Sequence, residues 1–174
     1  MDVYQDISKR DLRELLVKGW MTHDAMWLLQ SLQECGAEKA NKMNSAAIES
    51  MALIEIQRIT EALGVKDKKV ETFDDLVFVL EGTFSIIGAD FMKFTLSSPE
   101  KNVMEWDWAD DGLCFAYKGV QRLGLSGQYQ CGLLLRVEVW LKGLGVEYRM
   151  EPEIKGCLMH NTGACSGRIL FNFE

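Results

Sequence analysis

Cysteine and histidine are the residues of this chain best suited to holding a metal or making a nucleophile. Cys131, Cys157, Cys165 and His160 all fall in its last stretch, from Gln128 to Glu174. Thiolates favour soft or borderline ions such as zinc, and a closed zinc site needs four ligands in a tetrahedron. Cys157 and Cys165 flank a loop containing Gly163, so paired strands beside that loop would let the two sulfurs converge. Cys131 is expected in the first turn of a helix, where the helix dipole favours a thiolate. His160 or Cys114 is the candidate fourth ligand. The spacing is C-x7-C, far looser than a two-residue zinc knuckle. The competing reading is that these cysteines are small buried apolar residues, a common role for a free thiol.

Four further residues are candidates to face a small ligand: His23, Asn44, Glu55 and Trp106. His23 can change charge near neutral pH. It sits in GWMTHDAMW, where Thr22 or Asp24 could equally be capping a helix and Trp20 and Trp27 could be core. Its neighbour Asp24 does not share its helix face, so the two do not form an oriented acid–base pair. Glu55 lies among apolar residues in MALIEIQRI, where burial would raise a carboxylate's pKa, and Arg58 one turn later could neutralise it. Asn41 and Asn44 are i, i+3 neighbours that could line a pocket. Trp106 stands in MEWDWADDGLC with Asp107, Asp110 and Asp111. The last two acids fit a helix N-terminus better than a hard-metal loop.

The elements that must position these groups follow from periodicity. Ser8 opens a helix with Leu12, Leu15 and Leu16 on one stripe, and Thr22 is placed to cap a second that stops at Gly36. A third runs from Ala37 to Leu63 and ends at Gly64. Phe73 to Ile87 keeps the i, i+3, i+4, i+7 period of a fourth. Alternation on both sides of SSPEKN predicts a hairpin, Phe91 to Leu96 with Val103 to Trp108. A short helix from Asp110 to Leu123 and an apolar helix from Tyr129 to Leu144 follow. The latter is expected to pack on the sheet. A strand at Val146 to Ile154, a loop carrying His160 and a strand at Arg168 to Phe173 finish the chain. Helices first and strands later point to an α+β domain with a mainly antiparallel sheet of about four strands. Its helical part spans 1–88 and its sheet-containing part 89–174, within a single domain 1–174.

Composition narrows the function. A net charge of −7 argues against a nucleic-acid surface. No apolar run is long enough for a membrane span, and the start MDVYQDISKRD is too polar for a signal peptide, so a cytoplasmic location is expected. An odd number of cysteines favours reduced thiols. No P-loop, GxGxxG, GxSxG or HExxH motif occurs. The Met- and Ala-rich helices of the first half offer more apolar face than one small sheet covers, which predicts a homodimer.

The tail, CGLLLRVEVWLKGLGVEYRMEPEIKGCLMHNTGACSGRILFNF, resembles the C-terminal half of the 4-vinyl reductase-type domain. The matching positions are Cys131, Leu144–Gly145, Cys157, Gly163 and Cys165. WMTHDAMW, GAEKANKMN and the series WxW, Cys114, GVQRLGL and YQC look like an uncharacterised family related to the aminothiazoline-carboxylate hydrolases. The acidic residue usual just before the second cysteine is displaced to Glu153, and the loop between the last two cysteines is longer and carries His160. The resemblance implies an α+β, sensor-like, small-molecule-binding domain whose cysteines hold a metal, for which zinc is the candidate ion. Its alternative implication is a hydrolase of a small cyclic amidine or amide, using a thiolate nucleophile or a metal-bound water.

Overall fold

A computed structural model describes residues 6–109 and 112–174. Ser8 caps the first helix, its side-chain oxygen accepting from the Asp11 backbone N–H at 3.1 Å. That helix, α1 (Lys9–Ala62), runs straight through Thr22. The Thr22 hydroxyl donates back to the Lys18 carbonyl at 2.8 Å, the bond of a mid-helix threonine, so the expected second cap does not form. The real interruption is Gly36, at φ 76 and ψ 165, a conformation that costs glycine little. Residues 9–35 and 37–62 are therefore two helices meeting at one glycine. Trp20 and Trp27, read as core, are 64% and 70% exposed.

The second helix, α2 (Phe73–Ile87), matches its expected bounds. Thr72 and Asp75 close a capping box, and Phe73, Leu76, Val79 and Leu80 turn inward. After a 3-10 turn at Asp90–Met92 comes the hairpin, β1 (Phe94–Glu100) and β2 (Val103–Trp108). The first strand starts three residues later than expected, because residues 90–92 coil, and it takes in the SSPE of the supposed turn. Reversal falls on Lys101 and Asn102, with Asn102 left-handed at φ 65. Helix α3 (Phe115–Arg122) is shorter than expected, and Asp110 and Asp111 lie outside the described residues.

The apolar helix, α4 (Gly132–Gly143), begins after Cys131. It packs along the second half of α1 and, through Leu134, Trp140 and Leu141, shares one buried core with the sheet. Gly132 makes the approach to α1 possible, since a Cβ there would stand 2.5 Å from Ile48 Cδ1. The expected strand at Val146–Ile154 shortens to β3 (Tyr148–Glu151). The loop carrying His160 contains a helical turn, α5 (Leu158–Thr162), ahead of β4 (Gly167–Phe171). The four strands form one antiparallel sheet in the order β1-β2-β4-β3. With the helical first half, this is the expected α+β architecture. Its core joins Leu76 and Leu80 of α2, Leu134, Trp140 and Leu141 of α4, and Met104, Trp106 and Ile169 of the sheet. Each such side chain contributes about 1.5–3 kcal/mol when fully buried.

Candidate functional site

Four of the five cysteines belong to one region of that core, carried there by four separate segments. Cys114, Cys131 and Cys157 are the N-cap residues of α3, α4 and α5, and Cys165 lies two residues before β4. Negative charge on one disfavours it on the next: Cys165 and Cys131 act on Cys114, Cys165 and Cys157 act on Cys131, and Cys157 acts on Cys165. Gly156 at φ 78 and Gly163 at φ 79 turn the chain on either side of Cys157 and α5, which brings that segment back toward α4.

The sulfurs stand in an unusual field. Burial pushes the Cys114 thiol up to about 12, while the backbone N–H groups of Tyr117 and Ala116 pull the other way. Burial likewise raises Cys131 to about 11, opposed by the N–H groups of Leu134 and Leu133. For Cys165 burial again raises the pKa, against the indole N–H groups of Trp108 and Trp106. Those two indoles are buried and face Cys165, yet neither Nε1 reaches a partner at hydrogen-bond distance. Two orphaned donors beside one sulfur are costly, at roughly 1–3 kcal/mol each. The arrangement gains most when negative charge gathers on the sulfur.

Tyr129 links the thiols to solvent. Its hydroxyl oxygen accepts from the Gly132 N–H at 3.1 Å, and it interacts electrostatically with Cys131, Cys114 and Cys157. The half-turn around it is fixed from α1 by Asn41, whose side-chain amide donates to the Gln128 carbonyl at 2.6 Å. The Asn41 side-chain oxygen accepts from Gln130 N at 3.1 Å. Beyond lies an open cleft of about 380 Å³ lined by Gln128, Tyr129, Lys155, Cys157, His160 and Asn161. Asn161 holds one wall by donating to the Lys155 carbonyl at 2.8 Å.

The residues singled out from the sequence therefore scatter. Cys114, Cys131, Cys157 and Cys165 share one region of the core. His160 does not join them: it is exposed and lies over Gly127 at the cleft wall. Asn44 reaches the same neighbourhood, its amide nitrogen 3.6 Å from where a Cβ on Gly132 would sit. His23 is on the outward face of α1, stacked on Trp20 at 5.8 Å and 3.4 Å from Asp24. Trp106 is in the core beside Cys165. Glu55 is paired, but with Arg136 instead of Arg58: Arg136 grips both carboxylate oxygens and the Trp140 indole donates to one at 3.0 Å. Sequence reasoning overlooked Tyr129 and Trp108. Tyr129 stands two residues before Cys131, a placement that could have marked it.

Among the described residues no group of three or more His, Cys, Asp or Glu side chains is arranged to hold a metal ion. No described helix is long and apolar enough to cross a membrane. Fold and site together define an α+β domain with a cluster of thiols beneath an open cleft. In comparison with known proteins, residues 5–82 match the model of a family of unknown function, DUF6125. That match covers α1 and the first part of α2, and it stops short of every cysteine in the cluster. No curated protein and no solved structure matches the chain.

Proposed function

We propose that this is a cytoplasmic, sensor-like domain that takes a small polar molecule into the cleft beside Tyr129 and His160. Its thiol cluster would hold a zinc ion through Cys114, Cys131, Cys157 and Cys165. The observation that carries the reading is the pair of buried, unpartnered indole N–H groups of Trp106 and Trp108 aimed at Cys165. Donors so placed suit a thiolate, and four mutually repelling thiolates suit a divalent cation. The donor set is soft enough for zinc. Rotation of the cysteine side chains is needed to draw the sulfurs onto one ion. Bound zinc would supply positive charge that keeps the thiols deprotonated and ties four chain segments together. Asn41 and Tyr129 would hold the cleft wall against that knot, so that ligand and metal act on the same half-turn.

The hydrolase reading is weaker. With Cys131 pushed up to about 11 and Cys114 to about 12, neither offers a thiolate nucleophile at neutral pH without a metal. The test is elemental analysis of the protein purified from zinc-supplemented cells, with cobalt(II) replacement read by thiolate-to-cobalt charge-transfer absorption. The expected result is one ion per chain, lost in Cys157→Ser and in Cys114→Ser but kept in His160→Ala. Absence of metal together with absence of charge-transfer bands would overturn the zinc site.

A further inference from the structure

We propose that the outward face of the first half of α1 is a docking surface for a second copy of this chain, the two helices running antiparallel. Leu16, Trp20, His23 and Trp27 follow one another at steps of four, three and four residues, the seam spacing of paired helices. Leu16, Trp20 and Trp27 are 63%, 64% and 70% exposed, and the ring of His23 lies stacked on Trp20.

The same stretch of α1 is already docked by its other face. Leu28 and Leu32 are buried, with Leu125 and Tyr129 packed against them. The seam is therefore the side left over once the helix has settled on its own chain.

Area identifies the occupant. The chain exposes 10777 Å². A compact monomer of 19.8 kDa is expected to expose roughly 8,600 Å². The excess of about 2,000 Å² exceeds the roughly 800 Å² that each partner gives to a stable interface. Tryptophans at the centre of a patch are the usual anchors of such interfaces, and a surface that pairs with itself about a two-fold axis needs no other protein.

Charge sets the direction. The start of α1 is basic, with Lys9, Arg10, Arg13 and Lys18 against Asp11, Glu14 and the contacting Asp90. Residues 19–35, up to the break at Gly36, carry Asp24 and Glu34 and no lysine or arginine. An axis near Trp20 and His23 places the basic start of each helix beside the acidic end of the other, with the helix dipoles opposed.

The test uses the full chain in sedimentation equilibrium at tens of micromolar. The wild type is expected at twice 19.8 kDa. The Trp20→Glu, Trp27→Glu double variant is expected as a monomer with unchanged far-ultraviolet circular dichroism, its association weakened about 100-fold or more. A nitroxide on the exposed Cys35 of the wild type gives a reading that survives any misfolding of the variant. Antiparallel pairing separates the two labels by about 40 Å along the helix rise, whereas parallel pairing brings them within about 15 Å. A monomeric wild type, a dimer undiminished in the double variant, or a short label distance would each overturn the proposal.

Discussion

Removing the Glu55 carboxylate should be among the costliest single changes outside the thiol cluster, and its size can be worked from the geometry. In Glu55→Ala, Arg136 loses a two-pronged partner, including the Nε to Oε2 bond at 2.7 Å, and Trp140 loses the acceptor for its indole N–H at 3.0 Å. Breaking a fully buried pair costs about 3–5 kcal/mol. The two side chains are 17% and 27% exposed, so water can solvate what remains of Arg136. That reduces the ionic loss to about 2 kcal/mol. Trp140 is 1% exposed and can recruit no water, which adds about 1.5 kcal/mol for its orphaned donor. The sum, about 3–4 kcal/mol, corresponds to a melting midpoint lower by about 10 °C for a domain of this length. Urea unfolding of Glu55→Ala, Arg136→Ala and the double variant measures it, with an expected coupling of about 2 kcal/mol. A loss below about 1 kcal/mol with no measurable coupling would refute this account and return Glu55 to the list of groups free for ligand chemistry.

Two other outcomes follow from the same structure. Gly167→Ala should cost about 2 kcal/mol or more and alter the near-ultraviolet circular dichroism, because the new methyl would meet Trp106 Cη2 at 2.4 Å and the Glu151 carbonyl oxygen at 2.4 Å. Unchanged spectra and stability would show that β4 simply shifts aside. The pKa values of Cys114 and Cys131, raised by burial from 9.0 to about 12 and about 11, make the metal-free fold hold its protons longer than the unfolded chain. Stability from this source is complete below pH 9 and lost as pH climbs through about 11 to 12. The urea midpoint of the metal-free protein should therefore be insensitive to these thiols up to pH 8 and fall above pH 9. At pH 8 a thiol reagent should find the exposed Cys35 promptly and the buried Cys114 only on unfolding. Five equally fast thiols would contradict the burial.

The local rules wrote much of this protein into its sequence. Ser8, Thr72 and Asp75 cap helices through contacts three residues long, and the period of Phe73–Ile87 reports a face that any core would bury. Gly36 and Gly64 mark breaks because their backbone angles are left-handed, a choice the residue itself permits. The alternation around Val103–Trp108 was enough to place a strand, and helices before strands were enough for the α+β class. Tertiary structure decided the rest. Thr22 looks like a cap, but a neighbouring turn was free to continue, so its hydroxyl folded back on Lys18. Whether Glu55 meets Arg58 or Arg136 depends on α4 lying along α1, a fact separated from Glu55 by 81 positions. Trp20 and Trp27 look like core because they are large and apolar, yet only the packing of α1 reveals that they face outward. The cysteines show both sides. Their types and glycine-flanked spacing were visible, but long-range packing chose Cys114 over His160 as the fourth member. It also turned the buried donors of Trp106 and Trp108 toward Cys165, since a sulfur's neighbours are set by how the sheet closes.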